Sequence, residues 1–300
     1  MTAFDFEQAE GRLAYTLTND VLFHIVMNRS QRCLKGFIAS VLDIPFEEIT
    51  DIEILNPIDY GSRIDAKEII LDIKAELNHT VYVNIEMQVR PLKIWRKRTL
   101  FYSARLMAGQ DVGKNYERIK AIRQIDILDY QEKGRTEFFD MYSISNRKGE
   151  VYSDELQIYT LNLRNLGNAT EPDRERGLVD WGKLFAAQTW EDVKVLAGKN
   201  SIFREAGEIM GHAMTQEEDM LRRRQIAILD IETGLYEARS EGIEEGRAKG
   251  KAEGKAEGKA EGKAEDVKAL MTNLGFSFEK AVAALNISDA EAAEIRKSIE

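Results

Sequence analysis

The sequence has little cysteine, little proline and no long apolar run. Its single cysteine, Cys33, cannot form an internal disulfide, and apolar neighbours at helical spacing favour a buried free thiol in a reducing, cytoplasmic compartment. No stretch approaches the ~18 apolar residues that cross a bilayer, so we expect no membrane span. The opening residues 1–7 are acidic and lack a basic, apolar leader pattern, so we expect no signal peptide.

Histidine is scarce, and basic residues are outnumbered by acidic ones. The three histidines are dispersed and match no zinc-ligand spacing. The 42 basic and 52 acidic residues give a net charge of −10, which argues against a protein that coats nucleic acid nonspecifically. Residues 89–109 nevertheless contain no acidic residue. The basic residues of this stretch are Arg90, Lys93, Arg96, Lys97, Arg98 and Arg105. We expect a polyanion to bind there, with a solvated helix face as the alternative.

Apolar periodicity predicts an α/β layout with one sheet over the first 130 residues. The predicted elements are a helix over 18–42, strands over 49–55, 69–77 and 81–89, a helix over 93–110 and a strand over 119–128. Residues 78–80 are short enough to be a hairpin loop. Two more strand-like segments lie within 138–163, around a turn at 147–149.

The C-terminal part is helical and charged. Its predicted core contacts are Trp181, Leu184, Phe185 and Trp190. We divide the chain into residues 14–165, a helical region over 174–240, a repeat over 241–265 and a small helical tail over 266–300. In the tail, Gly275 is placed to end a helix, and Ser288 with Glu291 forms a predicted capping box.

The repeat has the unit Gly-Lys-Ala-Glu, with glycine at every fourth position from Gly242 to Gly262. At this spacing lysine aligns with lysine and glutamate with glutamate, which weakens an isolated helix. The stripes of opposite charge beside a glycine stripe instead suit packing against another helix. We therefore expect a self-association or regulatory segment, with a flexible linker as the alternative.

Two predicted strands bring an acidic pair together. Strand residues two apart share a face, so Glu86 and Gln88 project together. Asp72 precedes the hairpin loop by six residues and Glu86 follows it by six, so strand pairing brings them close. Buried carboxylates repel each other unless a cation joins them, and oxygen ligands favour Mg²⁺ over Zn²⁺. By spacing alone, a solvated polar strand face explains the same residues.

A set of short motifs carries a family resemblance. These motifs are Asn19-Asp20-Val21-Leu22-Phe23, Asn56-Pro57, Asp65-Ala66-Lys67, Leu71-Asp72-Ile73, Asn84-Ile85-Glu86-Met87-Gln88 and Arg98-Thr99-Leu100-Phe101-Tyr102. In this order, over residues 18–130, they resemble the Rpn family of recombination-promoting nucleases or transposases, within the PD-(D/E)XK superfamily. The glycine-repeated tail is also typical of that family. The resemblance implies a restriction-endonuclease-like αβββαβ core, with a mixed sheet flanked by helices, followed by a helical C-terminal region.

The resemblance also implies roles for individual residues. Asp72 and Glu86 would be metal ligands, with the main-chain carbonyl of Met87 as a third. Asp20 is a further candidate, although an acid at a helix N-terminus is also favoured by the helix dipole. Gln88 takes the position where the superfamily usually has lysine, and a neutral amide can orient groups but supplies no positive charge. The implied cofactor is Mg²⁺, with Mn²⁺ or Ca²⁺ as alternatives.

The candidates for DNA binding are Lys74, Arg96, Lys97, Arg98 and Tyr102. Lys74 shares the strand face of Asp72 and is a candidate to compensate for the missing lysine. Arg98 and Tyr102 share a helix face, which suits either phosphate contact or packing. Arg96 and Lys97 beside Trp95 suit backbone binding and base stacking.

The implied activity is that of a Mg²⁺-dependent DNA endonuclease, which hydrolyses a phosphodiester with a metal-activated water and promotes recombination. The alternative is a catalytically inactive DNA-binding or interaction protein that keeps the nuclease fold, for which Gln88 is the main argument.

Overall fold

A computed structural model describes residues 4–56, 58–59, 69–70, 72–110 and 115–299. The chain forms two compact units, Met1–Ile226 and Ala227–Glu300. Pro57 and the motif Asp65-Ala66-Lys67 lie outside the described residues. Within the described residues, no helix combines the length and apolar character needed to cross a membrane.

The single helix predicted over 18–42 is wrong, because two helices form there. α1 is Asp20–Arg29 and α2 is Gln31–Leu42. Ser30 between them has an extended backbone, and its hydroxyl accepts a hydrogen bond from the Cys33 N–H at 3.0 Å. A side chain that caps the first free N–H groups starts a new helix, so the chain changes direction at Ser30.

Over the residues that the structure describes, six strands form the main sheet and two form a separate ribbon. The strands are β1 Ile52–Leu55, β2 Ile58–Asp59, β3 Ile69–Ile70, β4 Ile73–Leu77, β5 Val81–Gln88, β6 Ala121–Leu128, β7 Phe139–Ser145 and β8 Val151–Asn162. The main sheet has the order β1-β4-β5-β6-β8-β7, and β2 pairs with β3. β6 is parallel to both β5 and β8, while the other pairs are antiparallel. The sheet is therefore mixed, as the resemblance implies.

The continuous strand predicted over 69–77 is also wrong. β3 ends at Ile70 and β4 begins at Ile73, and Asp72 lies in the bend that precedes β4. The Asp72 side chain, rather than its backbone, bonds to β5, because its Oδ2 accepts the Met87 N–H at 2.7 Å. The strand predicted from residue 49 starts at Ile52 instead.

The remaining helices follow β5 and the later strands. They are α3 Trp95–Ala108, α4 Glu171–Glu175, α5 Leu178–Ala186, α6 Trp190–Ala197, α7 Ser201–Gln216, α8 Glu218–Leu274, α9 Phe278–Ala284 and α10 Asp289–Ile299. Short 3-10 helices lie at Phe46–Glu48, Tyr116–Arg118 and Leu163–Asn168.

The two faces of the sheet differ in chemistry. The odd residues of β5, Val83, Ile85 and Met87, join the large apolar core formed with α1, α2, α5 and α7. The even residues Asn84, Glu86 and Gln88 are buried as well. They face α3, whose Thr99 bonds to the neighbouring strand β6. This alternation positions a polar layer between the sheet and α3.

The four core contacts predicted in the C-terminal part are confirmed, since all four side chains are buried. The Phe185 ring lies 5.1 Å from that of Phe37, and the Trp181 ring lies 5.0 Å from that of Phe203. α5 and α7 therefore share one core with α2. The domain boundaries drawn from the sequence remain a prediction.

The second unit contains its own small core of Val267, Ala281, Ile287 and Ile295. The predicted helix end at Gly275 is confirmed by its positive φ of 62°. The predicted capping box is confirmed as well, because the Glu291 carboxylate accepts the Ser288 N–H at 3.3 Å and the Ser288 hydroxyl accepts the Glu291 N–H at 3.5 Å.

Candidate active site

Asp72 and Glu86 lie opposite each other at the end of the β4–β5 hairpin. Ile73 pairs with Ile85 in the antiparallel ladder. Continuing this register by one residue places Asp72 across from Glu86. The register inferred from the hairpin loop is therefore the one that the structure adopts.

Asp72 is half-buried and held from two sides. Its Oδ2 accepts the Met87 N–H, and its carbonyl oxygen accepts a hydrogen bond from His24 Nδ1 at 2.9 Å. Burial raises the pKa of Asp72, and the negative charge of Asp20 raises it further, while the Met87 N–H and the Arg98 charge lower it. The start of α1 thus brings Asp20 and His24 close to Asp72.

Glu86 is only 5% exposed. Its Oε1 accepts a hydrogen bond from Asn84 Nδ2 at 3.3 Å, and its Oε2 lies 3.9 Å from an Arg98 nitrogen. Burial raises the pKa of Glu86 to about 8, and repulsion by Asp72 contributes to the same shift. The two acids therefore disfavour a doubly ionised state unless a cation lies between them.

Gln88 is fixed by two hydrogen bonds. Its Nε2 donates to the Arg90 carbonyl at 2.8 Å, and its Oε1 accepts from Arg98 at 2.9 Å. The Arg98 guanidinium also lies 4.5 Å from the centre of the Trp95 ring and 5.8 Å from that of Tyr102. A positive charge from α3 is thus held against the neutral side chain of Gln88.

A buried hydrogen-bonded chain behind Glu86 was not inferred from the sequence. Asn84 Nδ2 donates to Gln124 at 2.8 Å, and Gln124 Nε2 donates to Asp126 at 2.7 Å. The Thr99 hydroxyl of α3 donates to the second Asp126 oxygen at 3.1 Å. Burial raises the pKa of Asp126 to about 7, although the bonds from Gln124 and Thr99 lower it. The available signal was the pair Gln124 and Asp126, two polar residues two apart on either side of the apolar Ile125.

The other candidates for DNA binding lie on β4 and on α3. Lys74 is on the same sheet face, opposite Asn84, with its Nζ 5.7 Å from the Tyr82 ring centre. Arg96 is exposed and forms an ion pair with Glu132. Lys97 is exposed on α3.

The burial of Trp95 contradicts the expectation that a base stacks on its ring. Its side chain is 5% exposed, because it packs beneath the Arg98 guanidinium. The proposed base stacking on Trp95 is therefore wrong.

The donor set fits a hard cation. Among the described residues, no three or more histidine, cysteine, aspartate and glutamate side chains form a group that could hold a metal ion. One half-buried and one buried carboxylate, which resist joint ionisation, nevertheless suit a hard divalent cation such as Mg²⁺, which is usually bound by one or two carboxylates and keeps several waters. The residues that would hold it are Asp72 and Glu86, with the main chain at Met87.

A mixed sheet flanked by helices is consistent with the fold of the PD-(D/E)XK nucleases. The chain belongs to the PD-(D/E)XK nuclease family transposases, since the sequence profile of that family matches residues 17–238, more than half of the chain. The resemblance found in the sequence motifs is thereby confirmed. No curated protein and no solved structure matches the chain. Nucleases of this superfamily generally use divalent metal ions.

Proposed function

We propose that the chain is a Mg²⁺-dependent DNA endonuclease that hydrolyses phosphodiester bonds and promotes recombination. The observation that carries this proposal is the pairing of Asp72 with Glu86, both acids having a raised pKa because of burial. A divalent ion, when bound, polarises the scissile phosphate and lowers the pKa of water. Asp72 and Glu86 would hold the ion, with the Met87 carbonyl as a third ligand and Asp20 as a further candidate.

Arg98 is proposed to supply the positive charge that Gln88 lacks. Gln88 Oε1 accepts one of its hydrogen bonds, and the Trp95 ring packs against the guanidinium plane. A guanidinium held in this way is preorganised to stabilise the charge that develops on the phosphate. Gln88 would then act as a positioning residue.

The DNA strand is proposed to follow the acid-free stretch of residues 89–109. Lys97 and Tyr102 on α3, with Lys74 on β4, remain the candidates beside Arg98. Arg96 is exposed and Glu132 is half-buried, and an ion pair at the surface is weak enough, at about 0–1 kcal/mol, for a phosphate to replace Glu132.

A cytoplasmic location and a homo-oligomer formed through the C-terminal helical region are also proposed. The single buried thiol, Cys33, supports the cytoplasmic location.

The glycine face of α8 supports the homo-oligomer. A Cβ added at Gly246, Gly250, Gly254 or Gly258 would meet nothing within 4 Å, so this face of α8 has room for a second helix. Sedimentation of the chain with and without residues 241–265 tests it, since an unchanged oligomeric state would contradict the idea.

The second candidate is an inactive DNA-binding or interaction protein, which the amide at Gln88 favours. Incubation of the protein with plasmid DNA and Mg²⁺ separates the two, with EDTA and Asp72→Ala as controls. We expect cutting that both controls abolish, while the exposed Glu53→Gln cuts like wild type. Cutting that survives Asp72→Ala would contradict the site, and salt-sensitive binding without cutting would favour the second candidate.

A further inference from the structure

α3 carries an exposed apolar pair beside the candidate site. Ile94, at the N-terminal cap of the helix, is 62% exposed, and Phe101 is 55% exposed. Large apolar side chains on a surface are ordinary when scattered singly, but a group of them beside a functional site indicates a contact surface. We call Ile94 and Phe101 the α3 apolar pair.

The pair lies on the flank of α3 that carries Arg98. At about 100° per residue, Phe101 is about 60° and Ile94 about 40° around the helix from Arg98. The Phe101 ring centre lies 6.5 Å from that of Tyr102, whose own pKa is raised by burial and by the nearby charges of Glu86 and Asp72. The pair therefore adjoins the carboxylates through Tyr102 and Arg98.

The surroundings of the pair are cationic. Lys93 and Lys97 flank it, and neither forms an ion pair with any residue that the structure describes. No acidic residue occurs in residues 89–109. An apolar surface edged by positive charge complements a partner that carries both anionic groups and flat apolar rings. A DNA strand with exposed bases is such a partner, because its phosphates are anionic and its bases are flat rings.

We infer that the α3 apolar pair contacts unpaired bases next to the scissile phosphate, so that the enzyme prefers DNA with unpaired or unstacked bases over intact duplex. This inference rests on the proposed nuclease function and adds a substrate class to it. Phe101 supplies the face on which a base stacks, and Ile94 supplies an apolar wedge against its neighbour. In an intact duplex the base faces are covered by stacking, and the pair has nothing to contact.

The test compares Phe101→Ala with Leu100→Ala. Leu100 is 53% exposed on the same helix but about 160° around it from Arg98, so it is a matched control. Binding is measured by fluorescence anisotropy in EDTA, on a labelled duplex and on the same duplex with a central unpaired bubble. We expect Phe101→Ala to weaken binding to the bubble about 5- to 100-fold, with little change on the duplex. Leu100→Ala should match wild type on both, and Phe101→Trp should keep the preference for the bubble.

Cleavage of the two DNAs with Mg²⁺ separates this inference from the function on which it rests. Metal-dependent cutting with equal rates on bubble and duplex would overturn the inference alone, as would equal effects of Phe101→Ala and Leu100→Ala. If the protein neither binds nor cuts any DNA, the proposed function is overturned together with the inference. A change of oligomeric state in Phe101→Ala, with unchanged DNA binding, would assign the pair to a protein contact instead.

Discussion

The Arg98 guanidinium donates a hydrogen bond to the side-chain oxygen of Gln88 at 2.9 Å. Gln88 ends β5 and Arg98 lies in the first turn of α3, so ten residues separate them in the chain. The bond joins a neutral residue of the strand to a positively charged residue of the helix. It is the relationship on which the proposed charge stabilisation by Arg98 depends.

Replacing Arg98 should therefore affect the chemical step. We expect Arg98→Ala to lower kcat about 10²–10³-fold, because a preorganised donor to the developing charge is lost. Arg98→Lys should recover part of the rate. The matched control is Arg96→Ala, which removes an exposed charge from the same helix and should change affinity for DNA rather than kcat. Equal losses in kcat for both variants would contradict a specific role for Arg98.

Metal binding should stabilise the folded chain through the two acids. Thermal unfolding at increasing Mg²⁺ should show a rising Tm, with about 2.7 kcal/mol gained at about 100 times Kd. Asp72→Asn and Glu86→Gln should lose most of this gain, whereas the exposed Glu53→Gln on β1 should retain it. An unchanged gain in Asp72→Asn would remove Asp72 from the ligand set.

The metal-free protein should lose stability as the pH rises. Burial raises the pKa of Glu86 from 4.5 to about 8, so between these values the folded chain holds a proton that the unfolded chain has released. The free energy of unfolding then falls with increasing pH across this window. Urea unfolding in EDTA at pH 5, 6, 7 and 8 measures the slope.

Asp126 and Asp72, whose pKa values burial also raises, contribute in the same direction. Glu86→Gln should therefore reduce the slope without abolishing it. A slope in the variant as steep as in wild type would show that Glu86 does not titrate in this window.

Cys33 should react slowly with thiol reagents in the folded protein. Its side chain is buried, and burial raises the pKa of the thiol to about 11, so little thiolate forms near neutral pH. Ellman's reagent should modify the single thiol at least tenfold faster in about 8 M urea, which unfolds the protein, than in buffer. Equal rates in the two conditions would mean that Cys33 is accessible in the native state.

The hairpin was predictable because its signals are local. Alternating apolar residues in β4 and β5, with the short loop over 78–80, specify both the strands and their register, since a slip by one residue would turn Glu86 into the apolar core. The same pattern did not show the interruption before Ile73 or the break at Ser30. Apolar spacing does not register side-chain bonds to the backbone, and both features depend on one: the Asp72 carboxylate accepts the Met87 N–H, and the Ser30 hydroxyl accepts the Cys33 N–H.

The sequence by itself determined the polar and apolar faces of β5, the acidic pair at its end and the family to which the motifs point. Only the tertiary structure decided which charge accompanies Gln88, that Asn84, Gln124 and Asp126 form a buried chain, and that Trp95 is covered while Phe101 is exposed. Strand periodicity and loop length act between near neighbours in the chain. The contacts of α3 depend instead on how the helix is rotated against the sheet, and this rotation is set by packing across the whole polar face.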